Sequence, residues 1–472
     1  MVSIDVLPDD ILLDIFDFCV DRDRSRQFTH IREDMYAWET LVHVCRRWRT
    51  LVFESPRRLN LALVCTAATP ARDKLNVWPP LPLVIRSVGL YGPNSNFQAE
   101  YMDNISAVLE RSDRVCQISL TNIPNSYLEP LLAATHGLPE LTHLLLYSRE
   151  GPIVPDSFLG GSAPLLQYIL LDGILFPGLP GLLLSTTHLV DLQLRNIRHN
   201  ILPEVMAITL STLTRLEFLS IEFQSPATFP LIRQRPPPLT RSVLPVLKYF
   251  IFKGVSEYLE YLVARIDAPL KGLCVIFFNQ PEYDTPQLIR FIHRTPMLKA
   301  LERAHVTFAS NTARVKLSSP TSGYGVTLKI PCRNLAQQVL SLTQFFTSES
   351  SLPPLSILED LYIYNDPNSH TEWPDDVENA MWLGFLHPFP AVKNLYVCRG
   401  CAPCIVPALQ ELVGARTTEV LPTLQNIFLE ELRSSGPIHE GIREFVAAQQ
   451  VTSHPIADSL WENSEQDKIL GY

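Results

Sequence analysis

A block of apolar residues at positions 1, 4 and 6, often with proline two residues ahead, recurs along most of the chain. It reads VCQISL (115–120), LTHLLL (141–146), LQYILL (166–171), LVDLQL (189–194) and LEFLSI (216–221). It continues as LKYFIF (247–252), LKGLCV (270–275), LEDLYI (358–363), VKNLYV (392–397) and LQNIFL (424–429). Successive starts lie 26, 25, 23, 27, 31 and 23 residues apart; a gap of 88, wide enough for about three repeats, precedes spacings of 34 and 32. LKAL (298–301) reads as a degenerate copy inside the gap. Alternate apolar positions over six residues predict a short strand with one buried face. Between the blocks, 99–112, 256–266, 285–294, 335–346 and 405–414 carry apolar residues at helical spacing, as Leu259, Leu262, Val263 and Ile266 show. A supersecondary unit repeated at this period buries its apolar face by stacking on its neighbours, which predicts parallel strands in sequence order. A doubly wound α/β core, the competing reading, needs strands out of sequence order.

The first sixty residues follow a different pattern. LPDDILLDIFDFCV (7–20) predicts a helix with Pro8 at its first position and Asp9 and Asp10 complementing the macrodipole. Ile11, Ile15 and Phe18 share one face, with Leu12, Phe16 and Cys19 beside it. Leu41, Val44, Cys45, Trp48, Leu51 and Val52 form a second stripe, and Pro56 stops that helix. His43, Arg46, Arg47 and Arg49 then form its solvated back. Two helices this apolar cannot hide all their surface within sixty residues, so the surplus faces the rest of the chain or a partner.

Charge narrows the choice of partner. The chain of 472 residues has 39 Lys plus Arg against 49 Asp plus Glu, a formal charge of −10. Nine basic residues face eleven acids through residue 58. A nucleic-acid module holds phosphates with a basic footprint, so nucleic-acid binding is not expected. The acid-interrupted N-terminus shows no signal-peptide pattern, and the apolar span 173–192 is broken by Pro177, Pro180 and His188. An intracellular protein, cytoplasmic or nuclear, with no membrane contact is the expectation. Proline-rich stretches at 224–242, 318–325 and 365–379 read as stiff connections between repeats.

Chemistry is sparse. Nine cysteines, an odd number and mostly isolated, do not form a disulfide framework. Cys398, Cys401 and Cys404 make C-x-x-C-x-x-C without a local fourth ligand, which favours free thiols over metal or redox chemistry. No G-x-S-x-G, H-E-x-x-H, phosphate-loop or dinucleotide motif occurs, and His143 and His188 fall inside strand patterns. No catalytic residue, cofactor or metal is assigned, and the chain reads as a non-enzyme. The alternatives are an enzyme with a metal or redox site at Cys398–Cys404, or a repeat scaffold whose N-terminal helices pack inward.

LPDDILLDIF followed by LVHVCRRWRTLVFESP resembles the F-box, the helical module that docks a substrate receptor onto the Skp-type adaptor of a cullin ubiquitin ligase. With its long charged spacer (21–38), the arrangement is similar to F-box proteins multiplied in mushroom-forming fungi. The strand–helix repeats resemble an irregular leucine-rich-repeat solenoid, with Asn122, Asn196 and Asn365 at position 8 where that family has asparagine at position 9. The resemblance implies adaptor contacts from Leu7, Pro8, Ile11, Ile15 and Phe16. Val44, Cys45 and Trp48 would join the helices and complete the docking face. It implies an α/β fold class: a small all-α module over 1–60, a connecting segment and entry to the repeats at 61–98, a repeat solenoid with a parallel sheet over 99–450 and a tail at 451–472. Its partners would be the adaptor, through it a cullin, and a target protein held by the repeats.

Overall fold

The computed structural model describes residues 6–21, 37–56, 58–59, 61–66, 70–87, 99–199, 201–226, 241–278, 285–299, 301–319, 324–347, 353–366, 377–412, 417–430, 437–450 and 456–461. Most of the charged spacer and much of the three proline-rich stretches lie outside the described residues. The chain is mixed α/β with mostly parallel strand pairing, and it divides into two units, Met1–His199 and Asn200–Tyr472.

The first unit begins with three helices, α1 (Asp9–Asp21), α2 (Ala37–Val42) and α3 (Arg46–Glu54). There follow β1 (Leu63–Thr66), α4 (Ala71–Val77), β2 (Leu83–Arg86), α5 (Ala99–Leu109), β3 (Val115–Thr121) and α6 (Asn125–Ala134). β4 (His143–Tyr147), β5 (Tyr168–Asp172), α7 (Leu179–Ser185) and β6 (Asp191–Ile197) complete it. β1 to β6 pair in parallel in sequence order, so no strand order reverses as a doubly wound core requires. Segment 61–98, read as a connection and the entry to the repeats, supplies β1 and β2: LVCT and LVIR each bury three consecutive apolar residues, runs too short for the six-residue block.

The second unit holds α8 (Pro203–Ser211), β7 (Phe218–Phe223), β8 (Ser242–Val243), β9 (Tyr249–Gly254), α9 (Ser256–Val263), β10 (Ile266–Asp267) and β11 (Gly272–Phe277). Next come α10 (Pro286–Arg294), β12 (Arg303–Phe308), β13 (Thr312–Ser318), β14 (Gly325–Pro331) and α11 (Leu335–Thr347). It ends with β15 (Asp360–Asn365), α12 (Asn379–Leu386), β16 (Asn394–Val397), α13 (Ala402–Gln410), α14 (Thr417–Val420), β17 (Asn426–Glu430), α15 (Pro437–Gln450) and β18 (Ala457–Trp461). Its strands run β7-β9-β11-β14-β13-β12-β15-β16-β17-β18, while β8 pairs β10 separately. The 88-residue gap is not three repeats. β13 lies antiparallel between β12 and β14, so two hairpin-like reversals replace strand–helix crossovers there. Leu298 of the degenerate copy sits in a 3₁₀ turn ahead of β12. The C-terminal stretch, read as a tail, adds β18 in parallel to β17.

Positions 1, 4 and 6 form the core in both units. Leu141, Leu144 and Leu146 are fully buried, as are Leu358, Leu361 and Ile363. Each such side chain contributes roughly 1.5–3 kcal/mol of burial. At three position-8 sites the cause is conformational: Asn122 (φ 52°), Gly173 (φ 69°) and Asn196 (φ 49°) take the left-handed backbone, whereas Asn365 does not. Only glycine and, less readily, asparagine adopt that region without a large steric penalty.

Candidate docking surface

The stripe from Leu41 to Val52 is not one helix. α2 ends at Val42, His43 and Val44 turn, and Cys45 is extended (φ −157°, ψ 171°) as the N-cap of α3. The break keeps Leu41, Val42, Leu51 and Val52 in the core but swings Val44 outward. The arginines hold this corner together rather than serving only as a solvated back. Arg49 Nε donates to the freed carbonyl of Val42 at 3.0 Å. Arg47 donates from Nε to Asp9 Oδ1 at 3.0 Å and from Nη2 to the Leu7 carbonyl at 2.7 Å. The last contact fixes the start of α1, which begins at Asp9, one residue after Pro8. Arg58 pairs with Asp14 on the same helix at 2.5 Å.

α1 divides into two faces. Leu12, Leu13 and Phe16 are buried, with Phe16 at 0% exposure against the Trp48 ring, centroids 4.7 Å apart. Phe16 was expected to touch a partner; it is instead a core residue, because its helix position points at α3. The other face keeps Ile11 45%, Ile15 37% and Phe18 62% exposed, and Val6 (72%) and Val44 (57%) are exposed as well. Pro8 is exposed, and Leu7, Cys45 and Trp48 are half-buried. The expected set therefore splits into surface residues Pro8, Ile11, Ile15 and Val44, and a join made by Phe16 and Trp48. Val6 was not foreseen, since a single apolar residue ahead of a helix carries no periodic signal.

The three helices are tied to the rest of the first unit through aromatic contacts. Trp38 and Phe53 meet Trp78 after α4, with centroids 5.4 and 6.0 Å apart. Trp38 Nε1 donates to the Ala62 carbonyl at 3.1 Å. These contacts come from α2 and α3 and do not involve Ile11 or Ile15, which stay on the surface.

The cysteine cluster is different. Cys398 and Cys401 are buried and Cys404 is half-buried where β16 leads into α13. The Asn365 N–H donates to Cys398 Sγ at 3.1 Å. A hydrogen bond from Cys401 holds the Cys398 thiol below its usual range, while the same contact and burial raise Cys401. Among the described residues no group of three or more His, Cys, Asp or Glu is placed to hold a metal ion. Among them, too, no helix is long and apolar enough to cross a membrane.

No protein-family model matches the chain, and no curated protein matches it.

Proposed function

We propose that the chain is the substrate receptor of a Skp–cullin–F-box type ubiquitin ligase, with the N-terminal helices docking the adaptor and the strand repeats holding a target. The observation that carries this reading is the division of α1. Phe16 supplies the module's own core while Ile11 and Ile15, one turn apart, stay exposed, as does Val44. Had the helices served only to cap the repeats, Ile11 and Ile15 would be the residues buried. Parallel strands in sequence order, interrupted only by the antiparallel β12-β13-β14 reversals, support a scaffold that presents a surface. The receptor would catalyse nothing itself; it would raise the effective concentration of target near the ubiquitin-charged enzyme.

The test is binding of the full chain to a Skp-type adaptor by calorimetry. Ile11→Glu plus Ile15→Glu is expected to abolish binding without unfolding the protein, because both positions are already on the surface. Pro8→Ala with Leu7→Ala should weaken it. No binding by the native chain, or binding indifferent to the glutamates, sinks the reading.

A further inference from the structure

The face of the second unit's sheet opposite the apolar core carries an organised strip that the 1-4-6 pattern does not reveal. Strand register aligns Thr327, Lys316, His305, Tyr362, Tyr396 and Phe428 in one row across β14, β13, β12, β15, β16 and β17. Their chain neighbours Leu328, Val315, Val306, Leu361, Leu395 and Ile427 are fully buried, so by the two-residue alternation of a strand the row lies on the other face. The adjoining row brings Lys329 and Arg314 together, with Tyr364 two strands further on.

Four rings of the row stack in sequence. Centroid separations are 4.5 Å for His305–Tyr362, 4.1 Å for Tyr362–Tyr396 and 4.4 Å for Tyr396–Phe428, with planes within 10° of parallel. Stacking of this kind occupies ring faces; His305 and Tyr362 are buried, and Tyr396 and Phe428, which are half-buried, leave ring edges, the positive end of the aromatic quadrupole, towards the surface. Bases need open faces, so the row is a poor platform for nucleic acid. Beside the rings, Lys316, Arg314 and Lys329 are half-exposed on antiparallel strands. Arg303 pairs with Asp360 at 3.3 Å. Among the described residues, Arg314 Nε and His305 Nδ1 are buried without a hydrogen-bond partner. The positive edges of Tyr396 and Phe428 and the clustered, half-exposed cations Arg314, Lys316 and Lys329 select an anion.

We infer that this strip binds an acidic, extended segment of a protein, with Asp or Glu carboxylates on Arg314, Lys316 and Lys329 and an apolar side chain against Tyr396 and Phe428. The inference deepens the receptor reading, on which its biological meaning rests, by naming the class of target. The chain's net charge of −10 repels an acidic partner at long range, so the attraction has to come from these local cations.

The test uses the full chain and a fluorescein-labelled fifteen-residue peptide alternating Glu with Leu and Tyr, read by anisotropy. Expected is saturable binding that the Lys-for-Glu peptide lacks and that weakens about tenfold or more with Arg314→Gln plus Lys316→Gln, a loss typical of removing charge-assisted contacts. Arg314→Lys should restore part of it. Lys329→Gln alone provides a second arm should the double variant melt early. Equal binding of the two peptides, indifference to these variants, displacement by millimolar inorganic phosphate, or preference for a single-stranded oligonucleotide would each overturn the inference. Adaptor binding measured on the same variants separates the two proposals: the strip variants should leave it unchanged, and Ile11→Glu plus Ile15→Glu should leave peptide binding unchanged.

Discussion

Phe16 packs against Trp48 with ring centroids 4.7 Å apart and planes 59° from parallel, and this contact joins α1 to α3. Truncating a buried aromatic costs about 3–5 kcal/mol, whereas a surface change away from special features stays within about 0.5 kcal/mol. Phe16→Ala is therefore expected to loosen α1 to α3, seen as faster hydrogen exchange over 9–21 and 37–54, while Ile15→Ala leaves exchange unaltered. Equal effects at the two positions would show that the docking face and the core have been misassigned.

At Gly173 the backbone is left-handed (φ +69°) and an added Cβ would meet the Ser148 carbonyl oxygen at 2.1 Å. Gly173→Ala combines a conformational penalty of roughly 1–2 kcal/mol with a clash against backbone that cannot move aside. A large drop in melting temperature is the expected result. Asn122→Gly, at the equivalent position of an earlier repeat with φ 52°, is expected to be near neutral, since glycine adopts that backbone more easily. Gly181→Ala makes the contrast: nothing lies within 4 Å of its added Cβ, and helix α7 gains roughly 0.5–1 kcal/mol from losing a glycine.

Each of the 1-4-6 blocks in the sequence became a strand, because a period of two against a single core leaves no other arrangement for Leu144 and Leu146 or Leu361 and Ile363. Position 8 was legible as asparagine but not as a left-handed turn, since Gly173 hides the same requirement behind a different residue. A regular asparagine ladder was not expected from position 8. A short one does form at position 3: Asn394 Nδ2 donates to Asp360 Oδ1 and Asn426 Nδ2 to Asn394 Oδ1, both at 2.8 Å. The antiparallel β12-β13-β14 arrangement was not legible, because alternation predicts a strand without its direction. The stacked row at position 5 was visible as Tyr, Tyr and Phe in LEDLYI, VKNLYV and LQNIFL, once the polar face is read as carefully as the apolar one.

His305 is buried, and its pKa is pushed down to about 4, first by desolvation and then by Lys316, Arg303 and Arg314. An unfolded histidine titrates near 6.5, so between about 6.5 and 4 the unfolded chain binds a proton that the folded chain refuses. The contribution to stability is fully present above that range and is lost on acidification, approaching about 3 kcal/mol at the lower end. His305→Phe keeps a ring against Tyr362 and removes the titration. It is expected to lower the acid sensitivity of exchange in β12 and β13 between pH 7 and pH 5, and an unchanged pH profile would contradict the assignment.

Thiol labelling sets two effects against each other at Cys398. Its lowered pKa favours the reactive thiolate, but the side chain is only 3% exposed. Reactivity needs both thiolate and access, and a reagent of iodoacetamide's size cannot reach sulfur at that depth without local opening. Cys19, which is exposed, should therefore label first, and Cys116, half-buried with its thiol raised to about 11, should lag behind it. Cys398 and Cys401 should label only when the protein is unfolded, read by mass spectrometry of tryptic peptides along a denaturant series. Labelling of Cys398 as fast as Cys19 in the native protein would mean that burial does not protect it, and that the cluster behaves as a reactive dithiol rather than as part of the core.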